Sequence, residues 1–299
     1  MRIASSLAVI WSLLALSGAS AAPADLIVFA RTGAGFHSLV YSIRPDGSAR
    51  HRLRASARDE TEPLISPNGR LIASVAGGAI VIRSRGGGVI RRIGVSTRSE
   101  LREPSWGPGG RWLAVLVERC EDTGGRSEGP LCADLWLVRR DGRLRRRLVN
   151  ANVSTSDVVA QYAWSPDGRS IVFERFDPRS LAIVEVRTGS TSTLAGTRRL
   201  GTRDPDWARS GWIVFARQRG PFRGSDLYAV RPSGRSLHRI CRAQSAEHPA
   251  ASDDGALIAF LDFRSTPELN RWFVRVVPVD GGRCRDAGVH CGVDAAVVA

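Results

Sequence analysis

Six polar residues recur at one equivalent place along this chain: Glu62, Glu103, Gln161, Asp204, His248 and, near the C-terminus, Asp294. Each stands where a short apolar strand is about to begin. If the fold gathers them, they form a ring rich in carboxylates, and such a ring can coordinate a cation through oxygen or grip a peptide amine or a cationic side chain. The plainer expectation is local: Asp and Glu at strand entrances accept hydrogen bonds from backbone N–H groups of the preceding loops. Recurrence at every repeat favours the local role, because catalytic carboxylates are more often unique than periodic. Three of the six, Glu103, Asp204 and His248, are also the types that serve as acid–base groups.

The elements that must position this ring are legible from their turns. Glycine turns at Asp46-Gly47, Gly86-Gly87, Asp141-Gly142, Thr188-Gly189, Ser233-Gly234 and Asp280-Gly281 are separated by 40, 55, 47, 45 and 47 residues. That is the period of four-stranded propeller blades. Between them lies a second series: Glu62-Pro-Leu-Ile-Ser-Pro-Asn-Gly69, Glu103-Pro-Ser-Trp-Gly-Pro-Gly-Gly110, Gln161-Tyr-Ala-Trp-Ser-Pro-Asp-Gly168, Asp204-Pro-Asp-Trp-Ala-Arg-Ser-Gly211 and His248-Pro-Ala-Ala-Ser-Asp-Asp-Gly255. Ser, Pro and Gly at its first, second and fourth turn positions specify a type I turn. A strand rich in β-branched and aromatic residues follows each one. Every blade therefore reads as strands a, b, c and d.

There are six c–d turns and five a–b turns. The chain opens at Leu26-Ile-Val-Phe29 as a strand b, and Val293 to Val298 supplies the missing strand a, which would close the ring and remove an exposed edge. The expected fold is all-β, a six-bladed β-propeller in which N-terminal and C-terminal strands share one blade. Trp106, Trp164 and Trp207 recur inside strand a, as core packing between blades requires.

The Glu-Pro-x-Trp-Ser-Pro-Asp-Gly pattern resembles the WD40-like (PD40) repeat of TolB-type propellers and is similar to the propeller of prolyl oligopeptidases. It covers residues 25–299. With the propeller filling these residues, neither the α/β domain that precedes the TolB propeller nor a hydrolase domain is expected beside it. The resemblance implies a scaffold that binds a protein or peptide partner in the cell envelope.

Residues 1–21 read as a signal peptide, with Arg2, an apolar run from Ile3 to Leu16 and a small-x-small site at Ala19-Ser20-Ala21. Residues 22–299 form the propeller, expected to be secreted or periplasmic and monomeric. Export makes the five cysteines candidates for disulfides. Cys120 and Cys132 flank a Gly-rich insertion at the mouth of a b–c hairpin and are expected to pair. Among Cys241, Cys284 and Cys291, short separation favours Cys284 with Cys291, and Cys241 with Cys291 stays open. The cysteines and the five scattered histidines show no metal-ligand spacing, and no cofactor is expected. Gly125-Arg-Ser-Glu-Gly129 matches G-x-S-x-G but lies in the Cys-flanked loop, not on a nucleophile elbow.

All 43 basic residues are arginine, and against 29 acidic residues they give a net charge of +14. In a propeller the a–b and c–d turns share one face, and 16 of these arginines fall in or beside those turns; Arg143, Arg145, Arg146 and Arg147 are the densest run. That face suits an anionic envelope polymer or lipid. Nucleic acid is not expected, because the turns lack aromatics for base stacking. The functional expectation is a protein or peptide interaction module acting through the channel mouth, with an envelope-polymer lyase or hydrolase at that mouth, or polyanion binding by the arginine face, as the alternatives.

Overall fold

The computed structural model describes residues 27–292, apart from 33–37, 45–47, 54–58, 95–99, 119–132, 144, 151–158, 176–178, 221–222, 253, 267–268 and 283. The Asp46-Gly47 turn, the closing strand Val293–Val298, Asp294, Cys120, Cys132 and the signal peptide lie outside the described residues.

Six antiparallel sheets follow one another along the chain, and no described residue is helical. Blade 1 holds strands b, c and d (Ile27–Thr32, Ser38–Ile43, His51–Arg52). Blades 2 to 6 each hold four strands in sequential order. Their innermost strands a are Glu60–Ile65, Glu100–Trp106, Val159–Trp164, Thr202–Trp207 and Ala246–Ala251.

The a–b turns close as their residues dictate. Gly69, Gly110, Gly168, Gly211 and Gly255 donate to the carbonyls of Ser66, Gly107, Ser165, Ala208 and Ser252 at 2.8 to 2.9 Å. Where the turn begins with Ser, its hydroxyl also accepts from the first N–H of strand b, at 2.9 Å for Leu71 and Ser170 and 3.0 Å for Leu257. Asp167 and Asp254 accept from that same hydroxyl and from the N–H two residues on, which lowers their pKa values. The two turn series share a face, as backbone bonds from Arg85 to Arg70, Arg140 to Arg111 and Val186 to Arg169 tie them together.

Apolar side chains pack between blades rather than on one side of a single sheet. In strand b of blade 3 (Trp112–Glu118), Leu113, Val115 and Val117 join Ile80, Ile82 and Ile93 of blade 2. Alternate residues Ala114 and Leu116 join Ile171 and Phe173 of blade 4. A strand buried on both faces reads as a continuous apolar run, and this is why Trp112–Val117 lacks polar alternation. Trp106, Trp164 and Trp207 all lie in or against these inter-blade clusters.

A disulfide joins Cys241, at the end of strand d in blade 5 (His238–Cys241), to Cys284, just before strand d of blade 6 (Arg285–Gly292), with Cα atoms 6.1 Å apart. This corrects the pairings that the sequence favoured for these cysteines. A separation of 43 residues is one blade period, so two cysteines far apart in sequence meet on neighbouring outer strands. The described register places Glu118 opposite Ala133, beside the loop that carries Cys120 and Cys132.

Candidate functional site at the channel mouth

The ring residues lie within strand a rather than before it. In each of blades 2 to 6 the a–b ladder shifts register at this place, between Thr61 and Leu64, Arg102 and Ser105, Val159 and Tyr162, Arg203 and Asp206, and Glu247 and Ala250. Four ring residues precede a proline: Pro63, Pro104, Pro205 and Pro249. Proline has no N–H to give the ladder, so an inner strand keeps it only at a bulge. Read as a break, the proline marks the start of the strand; the bulge lets the strand continue upstream of it.

The bulge sets the backbone in an unusual state. Glu62, Glu103, Asp204 and His248 have φ of 52°, 51°, 49° and 48°. A non-glycine residue there is held at a cost of about 1 to 3 kcal/mol, so the surroundings must enforce it. They do so by linking one blade to the next. The Glu62 carboxylate accepts a short hydrogen bond from the N–H of Glu103. Asp204 Oδ2 accepts from the N–H of His248 at 3.2 Å, with His248 Nδ1 4.0 Å away. Gln161 Nε2 donates to Glu103 Oε1 at 2.7 Å, and the Tyr162 hydroxyl donates to the Glu103 carbonyl. The donors are therefore bulges of the next blade, not the d–a loops.

Blade 4 is the exception, with Gln161 in place of an acid and Tyr162 in place of proline. Its acceptor is Glu174, on strand b (Ser170–Arg175), to which the Asp204 N–H donates. In register with Trp164↔Ile171, Glu174 occupies the place of Val75, Leu116, Ala216 and Leu261 in the other blades. That lone acid at an apolar register position was the signal that sequence reasoning missed. Glu247, one residue before His248, and Asp206, whose Oδ2 accepts from the Ala251 N–H at 2.7 Å, were also missed.

These carboxyls converge electrostatically. Burial raises Glu103 to about 8, helped by the charges of Glu62 and Asp204 and opposed by Gln161 and Arg102. Burial raises Glu174 to about 7, again with Asp204 adding, while Arg203, Arg179 and the Asp204 N–H oppose. Glu247 is pushed up by burial and by Asp204, against His248 and Arg203. Burial, then Glu103 and Glu62, hold the Tyr162 phenol well above its ordinary value. Asp204 is thus the charge that carboxyls of blades 3, 4 and 6 all feel. Burial first, and neighbouring carboxylate charge second, thus keep protons on Glu103 and Glu174 near neutral pH. Among the described residues, no three His, Cys, Asp or Glu side chains are grouped to hold a metal ion.

The four arginines singled out on the turn face divide. Arg143 and Arg145 are exposed. Arg146 reaches the next blade, donating to the carbonyl of Arg187 at 2.9 Å and, in a shorter bond, to that of Val186. Arg147, paired with Trp136 and so further along strand d from the turn, leans towards Asp134 at 3.6 Å, at the opposite end of strand c (Ala133–Arg139).

No family model matches the chain, and no curated protein matches it. Solved structures do. TolB from Agrobacterium tumefaciens matches with a TM-score of 0.62 and 19% identity, covering 80% of this chain and 83% of that one. An oligogalacturonate lyase in complex with manganese matches with a TM-score of 0.68 and 12% identity, covering 87% and 73%. A puromycin hydrolase matches with a TM-score of 0.67 and 19% identity; the match covers 89% of this chain but 45% of the hydrolase. At these identities the likeness is one of fold. The chain has the six-bladed architecture of the TolB-type propellers, a fold it shares with a lyase and a hydrolase.

Proposed function

We propose that the protein is exported to the cell envelope and works there as an interaction module, taking a basic segment of a protein or peptide partner at the acidic channel mouth. The observation that carries this reading is the convergence of Glu62, Glu103, Glu174, Asp204 and Glu247, several with proton affinities raised first by burial and then by the charge of neighbouring carboxylates. A guanidinium or ammonium group among them offsets that charge, and bidentate or charge-assisted hydrogen bonds to carboxylates are the strong kind. The TolB resemblance, whose propellers usually bind proteins or peptides, points the same way. So does the Cys241–Cys284 disulfide, which suits an oxidising compartment.

The lyase or hydrolase alternative needs neighbouring groups pushed to opposite proton affinities, one acid and one base. Glu103, Glu174 and Glu247 are all pushed upward. A set of similar groups supports binding over acid–base chemistry.

The test is capture from a solubilised envelope fraction on immobilised wild-type protein and on Asp204→Asn, which keeps an oxygen for the His248 N–H and removes the charge. The expected result is a basic partner held by wild type and depleted on the variant. Equal capture by both, or a partner whose contact region is acidic, would remove the mouth from consideration.

A further inference from the structure

We propose that the face carrying the a–b and c–d turns is a membrane-facing surface that rests on anionic phospholipid. The arginines there are organised by the backbone. The turn bonds Arg85 to Arg70 and Arg140 to Arg111 bring two arginines side by side in blades 2 and 3, and Val186 to Arg169 sets Arg187 next to Arg169 in blade 4. Arg70, Arg111, Arg140, Arg169 and Arg187 are exposed and Arg85 half-buried. Three acids lie among them, Asp141 beside Arg139 at 3.0 Å, Asp167 beside Arg169 at 3.9 Å and Glu185 beside Arg187 at 3.7 Å, fewer than the arginines they accompany. Blade 6 differs, with exposed Asp254 and Asp280 on its turns, so the positive surface is an arc rather than a full circle.

Two further observations select a lipid surface over a soluble polyanion. Val89 and Ile90, directly after the c–d turn of blade 2, are each 55% exposed, and among the described residues they are the large apolar side chains most open to solvent. In sequence they lie between Arg85, at the turn, and Arg91. An apolar pair flanked by arginines can enter the interfacial region while the guanidinium groups meet phosphate. A dissolved polymer gives such a pair nothing.

The second is where the chain enters. Strand b of blade 1 begins at Ile27, opposite Ile43 and hence next to Arg44, at the turn-face end of the sheet. The described chain therefore enters the propeller at the basic face. A leader such as the apolar run Ile3–Leu16 would reach the propeller at this end. The arginine arc would complement Val89 and Ile90 there, since one small hydrophobic element alone holds a protein only weakly to a membrane and a polybasic patch is the usual second signal.

The experiment is vesicle flotation of the protein as purified from the envelope, against phosphatidylcholine vesicles with and without about one quarter phosphatidylglycerol, at low and high salt. Beads coated with polyphosphate serve as the soluble-polymer arm. Wild type should float with the anionic vesicles at low salt, float weakly with neutral ones, and be released at high salt. The variant Arg70→Glu, Arg111→Glu, Arg140→Glu, with folding checked by circular dichroism, should lose at least about a hundredfold in partitioning, from about fivefold per basic residue. Val89→Ser with Ile90→Ser should weaken vesicle binding and leave bead binding unchanged. Equal flotation with neutral and anionic vesicles, wild-type flotation by the folded triple variant, or capture by beads without flotation would each overturn the proposal.

Discussion

Glu103→Gln should gain stability over wild type as pH rises from the unfolded carboxyl value near 4.5, with a further gain between pH 7 and pH 9. The Glu103 carboxyl, raised to about 8, is mostly protonated at neutral pH in the folded chain, whereas in the unfolded chain it ionises near 4.5. Because its folded value is raised, its contribution is fully present below the unfolded value and lost as pH rises through the folded one. Between pH 7 and pH 9 the folded protein gives up about one proton more than the unfolded chain at this site. That removes about 1.4 kcal/mol of stability, one pKa unit's worth. Glutamine keeps an oxygen for the Gln161 amide and cannot ionise, so the variant is spared this loss. Urea unfolding of both proteins at pH 6, 7, 8 and 9 gives the difference directly; Glu174 titrates in both and cancels. A difference that stays flat over this range, or that grows in favour of wild type at high pH, would refute the electrostatic picture of the mouth.

Other outcomes follow from the packing. A methyl group on Gly255, at φ 70°, would sit 2.6 Å from the Ser210 nitrogen of the neighbouring blade, so Gly255→Ala should lower stability by about 2 kcal/mol or more in chemical denaturation. Cys284→Ser, which opens the 43-residue link between blades 5 and 6, should remove roughly 4 kcal/mol in the chain-entropy model, read as a lower melting temperature under non-reducing conditions. Arg146→Glu should destabilise by about 1 to 3 kcal/mol, because it leaves the Val186 and Arg187 carbonyls without their donor, while Arg143→Glu should stay within about half a kcal/mol. Deleting residues 293–299 should cause aggregation or a marked drop in melting temperature if they complete blade 1; an unchanged melting temperature would mean the ring closes otherwise.

Residue types that fix turns made the architecture legible. Ser-Pro-Asp-Gly and its variants specify the bend by local sterics, so five matches at blade spacing sufficed to count and order the strands. The ring was legible as positions but not as contacts. Glu62, Glu103, Asp204 and His248 were visible because they recur, whereas their partners are bulge N–H groups one blade away, set by a left-handed backbone that no residue type announces. Glu174 was hidden for the opposite reason: it occurs once, inside an apolar strand, and only the register shows that it replaces the missing acid of blade 4. The Cys241–Cys284 pair was lost to a preference for short separation, which ignores that one blade period brings like positions together.

Calorimetric titration with a tri-arginine amide peptide, in two buffers of different ionisation enthalpy near pH 7.5, tests the central claim most directly. Binding at the mouth should expel protons from Glu103 and Glu174, so the apparent enthalpy should differ between the buffers, and Asp204→Asn should weaken affinity while Arg143→Glu does not. Absence of binding, binding with no proton release, or affinity indifferent to Asp204→Asn would contradict the assignment of the acidic mouth as the site for a basic partner.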